Sequence, residues 1–296
     1  MTGFFGAALV TLFYSTLRSA TPLILGALGG VFSERAGVIN IGLEGIMLIG
    51  AWTASFVSLT TGNVYIGILA AAVAGVIIAA LHALASVIWT ADQTVSGVAI
   101  NLLASGFTEF MAVKIWGTSQ SPAVASRAPD FFGLNLFVYL AFLLVLISHF
   151  FLWYTSWGLR LRSVGENPWA AETMGINVRL MKIQGVLLSG VLAGLGGASF
   201  SVGLISRFTV GMTSGRGFIA LAAMIFGRWN PIGAMWACLL FGLAEGLATL
   251  FQIWNVGVPS QFLLMTPYVI TMLTLAGFVG RSQPPAADGI PYEKSR

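Results

Sequence analysis

Long apolar runs separated by short polar segments make up most of this chain. Several runs exceed the roughly 18 to 20 residues that a helix needs to cross the hydrocarbon core of a bilayer. The predicted segments are Phe4–Val31, Ile41–Leu59, Val64–Trp89, Val95–Trp116, Leu136–Tyr154, Ile183–Ile205, Gly217–Phe226, Ile232–Phe251 and Gln261–Val279. The pattern predicts an all-α polytopic membrane protein with about eight to ten transmembrane or re-entrant helices.

Two of these segments have an ambiguous length. Phe4–Val31 is interrupted by Arg18, Pro22 and several glycines, so it can form one tilted helix or two shorter elements. Gly217–Phe226 is too short for an upright span at about 1.5 Å per residue, unless flanking residues lengthen it.

Composition agrees with a membrane protein and excludes several functions. Hydrophobic residues make up 57% of the chain and charged residues 8%, against about 25% charged residues in soluble domains. In a membrane protein the positions of the basic residues indicate the orientation of the chain, so the net charge of +4 does not indicate nucleic-acid binding. The single cysteine, Cys238, excludes an intrachain disulfide. The sequence contains neither a Gly-x-x-x-x-Gly-Lys-Ser/Thr phosphate loop nor a cluster with metal-ligand spacing.

The basic residues predict the orientation of the chain. One side carries nine of them, Arg35, Arg160, Arg162, Arg179, Lys182, Arg228, Arg281, Lys294 and Arg296, and the other carries four, Lys114, Arg127, Arg207 and Arg216, while Arg18 is assigned to neither. Short loops rich in Lys and Arg stay cytoplasmic, so the nine-charge side is predicted to face the cytoplasm. Residues 1–280 then form the transmembrane domain, and residues 281–296, with three prolines, are predicted to be a disordered cytoplasmic tail.

A structured cytoplasmic loop is predicted over residues 157–182. Asn167 can cap a helix with its side-chain oxygen, and Pro168 suits the first helical position. Gly175 can adopt the left-handed conformation that ends the helix after about two turns. Two turns are not stable alone in water, so the helix must pack against something. A groove in a soluble partner and the lipid headgroups are the two alternatives.

Small residues recur every fourth position in one predicted span, at Ser189, Ala193, Gly197 and Ser201. Small residues at this spacing let helix backbones approach closely within a membrane. We expect them to pack helices of one chain together.

Three segments resemble a known family. GENPWAAETMGINV is similar to the cytoplasmic loop of permease subunits of ATP-binding-cassette importers, in the branched-chain amino acid, ribose and nucleoside superfamily. The matching positions are Gly165, Asn167, Ala170, Ala171, Gly175 and Ile176. SERAGVINIGLEGIMLIGA, from Ser33 to Ala51, resembles the smaller permease of nucleoside importers that work with a lipoprotein binding protein. GFIALAAMIFGRWNPIGA, from Gly217 to Ala234, is similar to the family's late segment.

The resemblance implies that this chain forms part of a transporter in which a separate subunit hydrolyses ATP. A separate ATPase subunit would bind ATP and Mg, and this chain would bind no cofactor itself. The expected partners are that ATPase, a second permease (a paralogue or a second copy), an extracytoplasmic substrate-binding lipoprotein and membrane lipid, in the bacterial cytoplasmic membrane. The expected substrate is a nucleoside or a related simple sugar. The residues expected to couple to the ATPase are Gly165, Glu166, Asn167, Ala170, Ala171, Met174, Gly175 and Ile176. The stretch Gly117–Leu134 is the expected docking surface for the binding protein.

Isolated polar residues within the spans are candidates for the translocation path. They are Glu44, Gln93, Asn101, Glu109, Glu245 and Gln252. Intramembrane carboxylates indicate function because their burial is costly, but each can also serve as a hydrogen-bonding group between helices. Asn40 can cap the following helix and place Glu44 about 6 Å inside it, near the cytoplasmic interface. A structural pairing of Glu44, for example with Arg35, is favoured over substrate contact.

A second functional class remains open. An ion-coupled secondary transporter of a small polar metabolite would use Glu44, Glu109 and Glu245 as its ion sites. Such a carrier has no need of a capped, basic docking helix. A scaffold that transports nothing is a third alternative, and the intramembrane carboxylates argue against it.

Overall fold

The computed structural model describes residues 2–124, 127–253, 265, 269 and 283–293. The helices are α1 (Thr2–Arg35), α2 (Leu43–Thr61), α3 (Val64–Ala83), α4 (Gln93–Trp116), α5 (Leu136–Tyr154), α6 (Ser156–Glu166), α7 (Pro168–Thr173), α8 (Val178–Ala198), α9 (Arg216–Phe226) and α10 (Pro231–Ile253). Two π-helical turns, Leu84–Ile88 and Ser199–Leu204, extend α3 and α8. A small antiparallel hairpin pairs β1 (Asp130–Phe131) with β2 (Leu134–Asn135). The predicted all-α class is confirmed.

The membrane segments agree with the apolar pattern. Within the described residues, seven helices are long and apolar enough to cross a membrane, and Arg216–Phe226 is a shorter apolar helix. The ambiguity at the N-terminus is resolved, because α1 runs without a break through Pro22. The segment predicted at Gln261–Val279 lies outside the described residues apart from Met265 and Val269.

The spans are arranged so that the chain has two faces. The loop face holds the end of α1 at Arg35, the helices α6 and α7, and the turn 227–230 between α9 and α10. The opposite face holds the turn at residues 62–63, the segments 117–124 and 127–135, and residues 205–210. On the opposite face, residues 119–124 and Ala128 are hydrogen-bonded to residues 202–210, for example through Ser121 N, which donates to Phe208 O at 2.9 Å.

Helix α8 is the centre of the bundle, and its small residues pack as predicted. A methyl group added to Gly197 would overlap the carbonyl oxygen of Met47 on α2. One added to Gly190 would overlap the carbonyl oxygen of Gly75 on α3. The hydrophobic effect does not drive helices together within lipid. Close backbone contact at these glycines provides the van der Waals attraction that holds the helices together.

The prediction of a disordered tail is wrong for residues 283–293. Ala287 and Tyr292 are 3% and 6% exposed, and Ala287 N donates to Gly165 O at 2.9 Å. The prediction relied on the prolines and on polar composition. Burial of Ala287 and Tyr292 is enough to anchor so short a segment on the surface of the domain.

Replacing Gly197 by alanine should destabilise the protein by about 1–3 kcal/mol, because the added methyl group separates α8 from α2. Gly106 on α4 is the matched control, since an added methyl group there meets nothing within 4 Å. Both changes raise helix propensity by about 1 kcal/mol. The unfolding temperature in detergent should fall for Gly197→Ala alone; equal unfolding temperatures for the two variants would contradict this packing.

Candidate functional site

The loop between α5 and α8 folds into two short capped helices, and we call it the coupling loop (residues 155–177). Thr155 Oγ1 accepts a hydrogen bond from Gly158 N at 3.1 Å and begins α6. Asn167 Oδ1 accepts one from Ala170 N at 3.0 Å, and Pro168 follows in the first turn of α7. Gly175 has a φ of +78°, the left-handed conformation that suits glycine. The predicted short helix and its start and stop signals are confirmed.

Helix α7 has an exposed side and a buried side. Met174 is 81% exposed and Trp169 46% exposed, and Ala170 is exposed beside them. Ala171 is only 4% exposed. It packs in a cluster with Val164, Val178, Met181 and Tyr292. The expectation that Ala171 faces a partner is therefore wrong, because a two-turn helix must bury one side against its own protein.

The remaining residues of the expected coupling set hold the loop in place. A methyl group on Gly165 would overlap the carbonyl oxygen of Arg35, so α6 lies directly against the end of α1. Glu166 forms an ion pair with Arg35 at 3.9 Å, and its Oε2 accepts a hydrogen bond from Ala286 N at 3.2 Å. Ile176 is partly buried against the same cluster as Ala171.

An irregular segment, residues 36–42, joins α1 to α2, and we call it the linker. Its backbone is bonded by side chains from three other helices. Lys182 Nζ donates to Gly37 O at 3.0 Å, and Gln93 Oε1 accepts from Ile39 N at 2.7 Å. His82 Nε2 lies 3.0 Å from Ile39 O, and Asn101 Nδ2 donates to Ile41 O at 3.1 Å. Gln93 and Asn101 therefore stabilise the linker, in addition to any contact with a substrate.

Glu44 caps a helix other than its own. Its two carboxylate oxygens accept hydrogen bonds from Gly215 N at 2.8 Å and Gly217 N at 2.6 Å, at the start of α9. A carboxylate is favourable there because unpaired N–H groups and the positive end of the helix dipole converge. Arg35 instead binds Glu166 and the carbonyl oxygens of residues 228 and 229. The expected pairing of Glu44 with Arg35 is wrong.

The expected cap by Asn40 is also wrong. The N-cap of α2 is Gly42, which has no side-chain cap, and Asn40 Nδ2 donates to Ser189 Oγ at 3.0 Å. The linker enters the bundle as extended chain, so Asn40 is fully buried against α8 before the helix begins.

A second glutamate reaches the start of α9 from α10. Glu245 Oε1 accepts a hydrogen bond from Arg216 Nη2 at 3.0 Å, and both side chains are about one quarter exposed. The guanidinium of Arg216 also lies 5.0 Å from the centroid of the Phe200 ring. We call Glu44, Arg216 and Glu245 the polar cluster. It brings two of the candidate path residues to one helix terminus.

The polar cluster lies well inside the membrane domain. Arg35 Nε donates to Trp229 O at 2.8 Å, so the end of α1 and the turn after α9 are at one level. The 11 residues of α9 rise by about 16 Å from that level. Leu43 contacts Gly29 and Gly30 on α1, about 8–9 Å from Arg35 along the helix. Glu44 therefore lies deeper than the interfacial position predicted for it.

Two other candidate residues lie apart from this cluster. Glu109 on α4 and Gln252 on α10 are both exposed. Neither makes a hydrogen bond or an ion pair with any residue that the structure describes. An unpaired carboxylate within a span is costly against lipid. The surface of α4 that carries Glu109 must therefore meet water or another polar surface.

Three buried or partly buried residues that form hydrogen bonds within the domain were not predicted from the sequence: Arg216, Glu34 and Lys182. Arg216 directly precedes an apolar run, a position typical of a charged residue in a loop. Its partner Glu245 is 29 residues away in sequence. Glu34 Oε2 accepts a hydrogen bond from Trp229 Nε1 at 2.6 Å across 195 residues. Pairs this distant in sequence give no local signal. Within the described residues no group of three His, Cys, Asp or Glu side chains could hold a metal ion.

Comparison with known proteins identifies a family of transport proteins. Residues 12–276 match the family model described as "Branched-chain amino acid transport system / permease component". The chain is 45% identical to the guanosine ABC transporter permease protein NupQ of Bacillus subtilis, over 95% of this chain and 96% of that protein. It is 44% identical to the nucleoside ABC transporter permease protein NupC of Lactococcus lactis, over 94% and 95%. A putative glucose ABC transporter permease protein of Haloferax volcanii is 36% identical over 79% and 75%. No solved structure matches the chain.

The ion pair in the polar cluster can be tested with a double-mutant cycle. Arg216→Met and Glu245→Gln should each destabilise the protein by about 1–3 kcal/mol, because the first leaves the Glu245 carboxylate without its cation and the second leaves the Arg216 guanidinium without its anion. The double variant should lose less than the sum of the two. The measurement is the unfolding temperature of all four proteins in detergent, and strictly additive losses would contradict the pair.

Proposed function

Because this chain belongs to the family of permease components of branched-chain amino acid transport systems, we propose that it forms the membrane path of an ATP-driven importer for nucleosides. The observation that carries the proposal is the exposed side of α7 on a capped, hydrogen-bonded loop. Near-full-length similarity to a guanosine permease and a nucleoside permease supports nucleosides as the substrate class. The similarity to a putative glucose permease keeps simple sugars as the alternative.

The proposed importer divides ATP hydrolysis and transport between subunits. The sequence has no phosphate-binding loop, so a partner ATPase would bind ATP and Mg. The partner would contact Trp169, Ala170 and Met174, which are the exposed residues of α7 and its C-terminus. The loop face would then be cytoplasmic, in agreement with its excess of basic residues.

The proposed path runs beside the polar cluster. Glu44, Arg216 and Glu245 lie inside the membrane domain and are partly accessible. The hydroxyl groups of a ribose and the edge of a base need hydrogen-bonding partners at that depth, where water is scarce. A second permease, a paralogue or a second copy, would cover the surface of α4 that carries Glu109. The segment 117–134 on the opposite face would receive the substrate-binding lipoprotein.

The competing class is an ion-coupled secondary transporter, and the contacts of its proposed ion sites disfavour it. Glu44 is bonded to two backbone N–H groups and Glu245 to a guanidinium. Carboxylate oxygens that already accept these bonds have fewer lone pairs left for a transported ion. Of the three carboxylates proposed as ion sites, only Glu109 keeps its oxygens unbonded in the described structure.

Replacing Met174 by glutamate should abolish co-purification of the permease with its ATPase, because a charge then lies in the apolar contact. The permease itself should stay folded, since Met174 is 81% exposed. Phe132→Glu is the matched control, because Phe132 is 93% exposed on the opposite face. Co-purification of Met174→Glu at the wild-type level would contradict the docking of an ATPase on α7.

A further inference from the structure

Residues 283–293, which we call the strap, lie on the loop face beside the coupling loop. Two successive turns shape the segment: Asp288 N donates to Pro285 O at 3.0 Å, and Ile290 N donates to Ala287 O at 3.2 Å. Ala287 and Tyr292 are almost fully buried. The strap therefore has a defined conformation and a defined place on the loop face.

The first contact of the strap is with the end of α6. Ala287 N donates to Gly165 O at 2.9 Å, and Ala286 N donates to Glu166 Oε2 at 3.2 Å. Asn167, which caps α7, is the next residue along the coupling loop. The strap thus fixes the backbone immediately before α7 begins.

The second contact is with the buried side of α7. Tyr292 belongs to the cluster that contains Ala171, Val178 and Met181. Its ring centroid lies 6.3 Å from that of Trp169. Because a two-turn helix cannot be stable by itself, Tyr292 provides part of the surface that holds α7 in position.

The third contact joins the strap to the linker. Lys182 is 2% exposed, and its ammonium donates to Gly37 O at 3.0 Å and to Ile290 O at 3.4 Å. The Ala287 carbonyl oxygen would lie 3.1 Å from a methyl group on Gly37. One buried ammonium therefore binds the strap and the linker at the same time.

The fourth contact joins the strap to the end of α1. The carboxyl of Asp288 lies beside that of Glu34, which accepts a hydrogen bond from Trp229 Nε1 at 2.6 Å. Burial raises the pKa of Asp288 to about 7, although the neighbouring Glu34 carboxyl and the nearby Lys182 ammonium lower it. A proton shared between the two acids allows them to attract each other, where two ionised carboxylates would repel.

We propose that the strap is a positioning element that transmits movement of α7 to the linker. It connects α7 on one side with Gly37, Lys182 and Glu34 on the other, and the linker leads directly to Glu44 and the start of α9. This role rests on the proposed function, since it requires an ATPase that moves α7. Docking of the ATPase itself uses the exposed side of α7, where the strap contacts Trp169 and leaves Ala170 and Met174 exposed.

The test compares Ala287→Leu with Ala286→Leu in the complete importer reconstituted in vesicles. Ala287 is buried and Ala286 is exposed, so the same enlargement should displace the strap only in the first variant. A second pair is Tyr292→Ala, which removes the ring, and Tyr292→Phe, which keeps it. The readouts are recovery of the complex with the ATPase, the rate of ATP hydrolysis, and the amount of labelled nucleoside taken up per ATP hydrolysed.

Ala287→Leu and Tyr292→Ala should keep the complex and ATP hydrolysis but lower uptake per ATP by about 5-fold or more, in the range of measured coupling between sites. Ala286→Leu should match the wild type, and Tyr292→Phe should lie closer to the wild type than Tyr292→Ala, because it loses only the hydroxyl group that faces Glu172. An unchanged ratio in both disruptive variants would overturn the proposal. Loss of the complex would also overturn it, because the strap would then serve docking. Failure of the wild type itself to couple uptake to ATP would instead refute the proposed function.

Discussion

The constraint on which this structure depends is the bonding of the linker, an irregular backbone segment inside a membrane domain. Buried peptide groups that are not in a helix have no water to bind, so other protein groups must bind them. Lys182, His82, Gln93 and Asn101 do so, and they come from α8, α3 and α4. The positions of these helices and the start of α2 are therefore fixed together.

The same constraint connects the two regions that matter for function. The start of α2 places Glu44 against the N-terminus of α9, where it binds two N–H groups. At its other end, the linker shares Lys182 with the strap, which contacts α7. A displacement of α7 and a rearrangement of the polar cluster thus act on one short piece of chain. No long flexible element lies between them in the part of the chain that the structure describes.

Local chemistry could be predicted from the sequence, whereas distant pairing could not. The apolar runs and the signals of Asn167, Pro168 and Gly175 depend on neighbouring residues, and both predictions were confirmed. The partners of Glu44 lie 171 and 173 residues away, and nothing near Glu44 in sequence indicates them. The orientation of Ala171 depends on Tyr292, in a segment whose composition favours disorder. Composition indicates how a segment behaves in isolation, whereas the strap is held by contacts with α6, α7 and α8.

The central claim, that ATP drives nucleosides through this permease, is tested most directly by uptake into vesicles that contain the complete importer. Labelled guanosine would be offered outside, together with the binding protein, and ATP with Mg would be enclosed on the side of the ATPase. One set of vesicles would have ATP and no ion gradient, and a second set would have a proton or sodium gradient and no ATP. We predict accumulation in the first set only. Accumulation in the second set alone would contradict the account and support an ion-coupled carrier.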